Sequence, residues 1–172
     1  MGTYTGNDVL LLMGSEGDWE VMSAAHSVLK EFGVACAVAV SSAHRCIDRT
    51  LSLVREAHAD GVKVFIVGAG AAAHLAGVVA AASTRPVIGV PIDATSMKGM
   101  DALLATVMMP GGVPVATMAI GRAGAKNAGL LAVSVLALGD DTLAARLTAY
   151  RTDMADEVAE KSRRLNRTLQ EG

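Results

Sequence analysis

Three short stretches hold most of the residues able to do chemistry: Gly14-Ser15-Glu16-Gly17-Asp18-Trp19, Ser42-Ala43-His44-Arg45 and Gly68-Ala69-Gly70-Ala71-Ala72-Ala73-His74. An imidazole titrates near neutrality, which makes His44 a suitable proton carrier. Arg45 beside it offers a planar fork for phosphate or carboxylate. Gly14 to Asp18 opens a helix, so its backbone N–H groups and the helix dipole favour an anion. Ser15 adds a hydroxyl donor there, and Asp18 can either accept from two ribose hydroxyls or cap the helix. The third stretch matches a Gly-x-Gly-x-x-Gly/Ala dinucleotide fingerprint in its letters, although the acidic residue expected after the next strand is met only loosely by Asp93. It equally suits a small pocket for a carboxylate or carbon dioxide, with His74 at its wall. No Gly-x-x-x-x-Gly-Lys-Ser/Thr motif occurs, which excludes a nucleoside-triphosphatase loop. Cys46 next to Arg45 suggests an activated thiol, but nothing else in the chain resembles a cysteine-enzyme arrangement. His26 and His58 fall on helices and read as structural.

These stretches follow apolar runs: Val9 to Met13, Val38 to Val40, and Val62 to Val67. Near-continuous apolar runs suit strands buried on both faces, and the segments between them carry helical spacing, so the sheet is expected to be parallel. Loops at the carboxyl ends of such strands collect on one edge, where ligands bind. The first helix is expected from Asp18 to Gly33, burying Met22, Ala25, Leu29 and Phe32. The second carries a stripe of Ile47, Leu51, Val54 and His58 and stops at Asp60-Gly61. A third, Ala-rich helix runs from about Ala72 to Ser83 and ends before Pro86. Val87 to Val90 is a fourth strand, Asp101 to Met109 a short helix, Val115 to Ile120 a fifth strand, and a further helix runs to Leu138. Five strand–helix units predict an α/β, three-layer sandwich. From Asp140 the chain reads as one long helix with Leu143, Leu147, Tyr150, Met154, Val158, Leu165 and Leu169 at helical spacing. It is either a solvated terminal helix or an arm packing on a neighbouring subunit.

The 172 residues fit one domain, with a core about 8–139 and the helix at 140–169. With 52% hydrophobic but only 3% aromatic residues, the core is packed from aliphatic side chains. Fifteen basic against 17 acidic residues leave no basic field for nucleic acid or anionic lipid, so a nucleotide ligand should be small and held by local donors. Cys36 and Cys46 form neither a disulfide framework nor a metal spacing, and Cys36 reads as a small buried residue within a strand. The start lacks signal-peptide regions and no apolar stretch is long enough to span a bilayer, so the chain reads as soluble and cytoplasmic.

Gly-Ser-x-x-Asp-Trp, Ser-Ala-His-Arg, Gly-Ala-Gly-x-Ala-Ala-His-Leu, Gly-Val-Pro, Met-Pro-x-Gly-x-Pro-Val and Ala-Ile-Gly-x-Ala-Gly-Ala-x-Asn-Ala occur in that order. From about Val9 to Tyr150 the chain resembles the N5-carboxyaminoimidazole ribonucleotide mutase family of purine biosynthesis (PurE, class I). The resemblance implies a flavodoxin-like fold, a homo-octamer, a small ribonucleotide substrate, and no metal or organic cofactor. The implied reaction moves a carboxylate from an exocyclic nitrogen to ring carbon C4 through trapped carbon dioxide. By motif, Ser15, Asp18 and Arg45 would hold the ribose phosphate and His44 would be the general acid and base. His74 and the backbone of Gly70, Ala71 and Ala73 would line the carboxylate site, with Ser42 and Leu75 completing the binding set.

Several positions depart from the family pattern. Gly17 stands where serine is usual, Cys46-Ile47 replaces Thr-Pro, Ala71 replaces a glycine, Ala76 a proline and Met108 a glutamine. They cluster at the ligand edge. Two alternatives therefore stand beside the mutase: a paralogous carboxylase or decarboxylase of a related carboxylated nucleotide or heterocycle, and a non-catalytic nucleotide- or dinucleotide-binding module.

Overall fold

The computed structural model describes residues 2–171 and divides into two compact units, one running to Val133 and the other starting at Ser134. The first is a five-stranded parallel sheet in the order β2-β1-β3-β4-β5, with β1 Val9–Met13, β2 Cys36–Val40, β3 Val64–Gly70, β4 Val87–Ile92 and β5 Ala116–Thr117. Helices α1 (Trp19–Glu31), α2 (Ile47–Ala59), α3 (Leu75–Ala82), α4 (Met100–Val107) and α5 (Arg122–Leu136) alternate with the strands. This is the α/β architecture that the spacing predicts, in the flavodoxin-type strand order, whose direction of winding reverses between β1 and β3.

Alternation along the strands assigns the layers. Leu10, Leu12, Phe65 and Val67 join Leu53, Val54 and Ala57 of α2, Leu75, Ala76 and Val79 of α3 and Ala102 of α4 in one buried cluster. On the other face, Met22 of α1 packs over Gly68, and Gly129 of α5 lies against Ala25 and Val28 of α1. β1 and β4 are buried along their whole length, as apolar runs covered on both faces must be. β2 is an edge strand, and it leaves Val38 and Val40 more than 40% exposed.

Five expectations are corrected. Asp18 holds the N-cap position of α1, as expected, but its side chain makes no capping bond to that helix. Ser15 is the N-cap of a 3-10 turn (Glu16–Asp18) that feeds α1, in a capping box in which Ser15 Oγ accepts from Gly17 N at 3.3 Å and Asp18 Oδ2 accepts from Ser15 N at 2.9 Å. β3 continues to Gly70, because Gly68, Ala69 and Gly70 keep register with Val90, Pro91 and Ile92. These glycines therefore serve close packing within a strand and not a phosphate turn: a Cβ at Gly68 would collide with Met22, and one at Gly70 would lie 2.5 Å from Ala94 Cβ. The turn is Ala71–His74, and α3 begins only at Leu75. β5 keeps only two regular residues; beyond Thr117 the chain holds β4 by Met118 N to Gly89 O and Gly121 N to Pro91 O, and Pro91 has no N–H to return. The buried stripe of α2 is Thr50, Leu53, Val54 and Ala57, whereas Ile47 is exposed. Thr50 tolerates burial because its hydroxyl meets Ser41 Oγ at 2.8 Å and Cys46 O at 3.2 Å.

The second unit is a 3-10 turn (Ala137–Gly139) and the long helix α6 (Asp141–Glu171). Asp140 Oδ1 accepts from Leu143 N at 2.9 Å and starts the helix. Glu157–Lys161 and Glu160–Arg163 pairs line its outer turns, while Met154, Val158, Leu165 and Leu169 stay exposed. No helix of the described residues is long and apolar enough to cross a membrane.

Candidate active site

The β1/β3 reversal leaves a crevice at the carboxyl ends of the strands, and the three chemistry-bearing stretches meet there. The cleft has a volume of about 440 Å³ and takes Ser15 and Asp18 from the β1 loop, Ser42, His44 and Arg45 from the β2 loop, and Gly70, Ala71 and Leu75 from the β3 turn and α3. His44 Nε2 lies 2.8 Å from His74 Nδ1, with the rings nearly perpendicular. A neutral pair at this distance shares one proton: one ring donates and the other accepts.

Arg45 is anchored where it can meet an anion. Its backbone N and its Nε both donate to Ser42 Oγ, at 3.3 and 3.4 Å, and its terminal guanidinium nitrogens have no hydrogen bond among the described residues. A smaller recess of about 350 Å³ adjoins it, sharing Gly14, Ser15, Ser42 and Arg45 and adding Cys46 and Arg49. The Cys46 thiol is lowered below its ordinary range, chiefly by the Ser41 hydroxyl and then by the Ser42 backbone N–H, with Arg49 and Arg45 assisting. Burial raises the Asp18 carboxyl, against the backbone N–H bonds of Ser15 and Gly14. Cys36, half-buried in β2, is pushed up to about 11 by burial.

Among the candidate residues, Ala73 is placed apart: it is buried in the core cluster, with its N–H bonded to Ala71 O and its carbonyl near the Thr106 hydroxyl. His74 reaches the cleft through His44. Ala71, at a φ of +51°, occupies the left-handed region that disfavours a Cβ. Residues not anticipated on the wall are Glu20 and Val21 of α1 and Ile92, Asp93 and Ala94 at the end of β4. Asp93 was legible, since it ends a strand on the ligand edge; Glu20 carries no sequence signal beyond its helix. The charge is divided, with Asp18, Glu20 and Asp93 lining the same opening as Arg45. Among the described residues, no group of three His, Cys, Asp or Glu side chains is placed to hold a metal ion.

A parallel α/β sheet with an imidazole pair and an anchored guanidinium at its switch point defines a small-molecule enzyme of the nucleotide-handling type. The profile of the AIR carboxylase family matches residues 8–157, and the chain belongs to that family. It is 49% identical over 154 residues to the N5-carboxyaminoimidazole ribonucleotide mutase of Brucella melitensis, covering 90% of this chain and 95% of that one. The mutase of Bacillus subtilis is 48% identical over 155 residues, covering 90% and 96%. The mutase of Mycobacterium tuberculosis is 49% identical over 157 residues, covering 91% and 89%. Among solved structures, Treponema denticola PurE superposes with a TM-score of 0.81 at 31% identity, covering 88% of this chain and 94% of that chain.

Proposed function

We propose that the cleft isomerises N5-carboxyaminoimidazole ribonucleotide, the carbamate on the exocyclic nitrogen, to the isomer carboxylated at C4, and so serves purine biosynthesis. The observation that carries the reading is the 2.8 Å contact of His44 with His74, at the rim of a cleft that also holds Ser15, Asp18 and Arg45. Ser15, Ser42 and Arg45 take the phosphate, and Asp18 accepts from the ribose hydroxyls. His44 delivers a proton to the carbamate nitrogen, the N–C bond breaks, and carbon dioxide leaves with the free amine as the other product. The ring carbon C4 then attacks the captive carbon dioxide, and the C4 proton returns to the same imidazole. Protons and carbon balance within the cycle, so no metal or organic cofactor is called for. His74 fixes the ring of His44 through their hydrogen bond, so the imidazole that gives a proton in the first half-step is in place to take one back in the second. Gly70, Ala71 and Leu75 wall the carbon dioxide against escape, and confinement converts recapture into an effectively unimolecular step.

The chain works as one catalytic domain with α6 as an arm for assembly, in a homo-octamer in the cytoplasm. Exposed apolar side chains support assembly: Val38 and Val40 on the edge strand, Met100 and Leu104 along α4 with Met108 just past its end, and Met154, Val158, Leu165 and Leu169 along α6. Sedimentation of the purified chain measures the subunit count.

The deciding experiment supplies each carboxylated isomer separately and follows ultraviolet absorbance and carbon dioxide release in parallel. Interconversion without gas loss is the expected result. Net gas loss assigns a decarboxylase instead, and tight binding of NAD or FAD without turnover assigns a binding module.

A further inference from the structure

A second cleft opens on the opposite edge of the sheet, where β4 and β5 begin at Val87 and Ala116 and where α2 and α3 end. Its volume is about 970 Å³, more than twice that of the catalytic cleft and within the range of small-molecule sites. Its polar side chains are Arg55, His58, Ser83, Thr84 and Arg85, and no carboxylate lines it. Neither guanidinium has an ion pair or hydrogen bond among the described residues.

The donors of this cleft are oriented by a short chain of hydrogen bonds. Ser83 Oγ accepts the backbone N–H of Arg85 at 3.1 Å and lies 3.2 Å from His58 Nδ1. When the hydroxyl turns its proton to Nδ1, the neutral imidazole carries its own proton on Nε2, and an anion in the cleft favours that arrangement over the reverse one. The cleft therefore holds two guanidiniums and an imidazole able to donate, beside an apolar wall of Pro86, Val87, Val113 and Pro114. Two positive forks suit a dianion better than a singly charged carboxylate. The proline rings and aliphatic groups suit a flat ring.

We propose that this cleft is a second ligand site, separate from the catalytic one, that takes the phosphate monoester of a small planar ring compound. The phosphate sits on Arg55, Arg85 and the N–H of His58, and the ring lies on Pro86, Val113 and Pro114.

The test titrates phenyl phosphate into the full-length protein carrying Arg45→Ala, which disables the phosphate contact of the catalytic cleft, with calorimetry and the imidazole NMR signals of His58 as readouts. One saturable site per chain is expected, with the His58 signals moving. Arg55→Gln and Arg85→Gln, both at exposed positions, should each weaken binding by roughly tenfold, and the double variant should abolish it. Inorganic phosphate, which lacks the ring, should bind at least about tenfold more weakly than phenyl phosphate. Absence of saturation below about 10 mM, binding undiminished in the folded double variant, or equal affinity for inorganic phosphate would each overturn the proposal.

Discussion

His44 Nε2 and His74 Nδ1 stand 2.8 Å apart although thirty residues separate them in the chain. The β2 loop and the β3 turn bring them together, from strands that flank β1 on either side. The contact makes the proton of one ring the business of both.

Replacing His44 with Asn removes the proton carrier while keeping a side chain of similar polarity. Turnover should fall by about 10²–10⁴-fold, with the Michaelis constant changed only a few-fold. His74→Ala should lower turnover by less, because His44 keeps its titrating ring and loses only the partner that orients it. Steady-state kinetics on both carboxylated isomers measure the two effects, and unchanged turnover in His44→Asn would remove the residue from the mechanism.

Ala71 holds a left-handed backbone at φ +51° on the cleft wall. An L-residue there bears a strain of roughly 1–2 kcal/mol, partly offset because glycine has more unfolded freedom to lose. Ala71→Gly should therefore gain about 1 kcal/mol, or about 2–4 °C in melting temperature for a chain of this size. Calorimetry checks the shift. A fall in melting temperature would show that the alanine methyl makes compensating contacts.

Asp18 has a carboxyl raised above 3.8 by burial, so the folded state binds that proton more tightly than the unfolded chain. Stability then falls as pH rises from 3.8 through the raised value, and the cost is fully present at neutral pH, where the group is ionised in both states. Asp18→Asn keeps an oxygen to accept the Ser15 N–H and sheds the buried charge. The variant should melt higher than wild type at pH 7, and the gain should shrink towards pH 4. It should also raise the Michaelis constant by losing an ionised acceptor for ribose hydroxyls. A gain that grew on acidification would reverse the assigned sign.

The two cysteines should separate cleanly under alkylation. Iodoacetamide should modify Cys46, whose thiol is lowered by the Ser41 hydroxyl, well before Cys36, held at about 11 by burial. The adduct lies beside Ser42 and Arg45, so activity should fall in step with labelling of Cys46. Peptide mass mapping against residual activity tests this, and Cys46→Thr should be protected. Loss of activity tracking Cys36 instead would contradict the assignment.

Much of the scaffold follows from local rules. Val9 to Met13 and Val87 to Val90 are apolar enough to demand cover on both faces, and Gly33 and Gly61 end their helices with positive φ. Local rules misread Gly68 and Gly70, because glycine punctuates loops and also makes room within strands. Only Met22 above one and Ala94 beside the other settle which role applies. The same limit hid the Ser15 cap: Asp18 is a good cap by type, but the hydrogen bond it accepts comes from the residue three positions earlier. Ile47 illustrates a third case, where helical spacing allowed two overlapping stripes and packing against the sheet selected the one through Thr50.

What the residues alone determined was the parallel α/β order, the edge on which His44, Arg45, Ser15 and Asp18 gather, and the family to which their motifs belong. Periodicity and turn chemistry act over a few residues, so they can be read in one dimension. What the tertiary structure decided was the pairing of His44 with His74, the burial of Ala73, the left-handed strain at Ala71 and the second cleft around Arg55 and Arg85. Each depends on how distant segments approach one another, a matter of sheet order and helix packing.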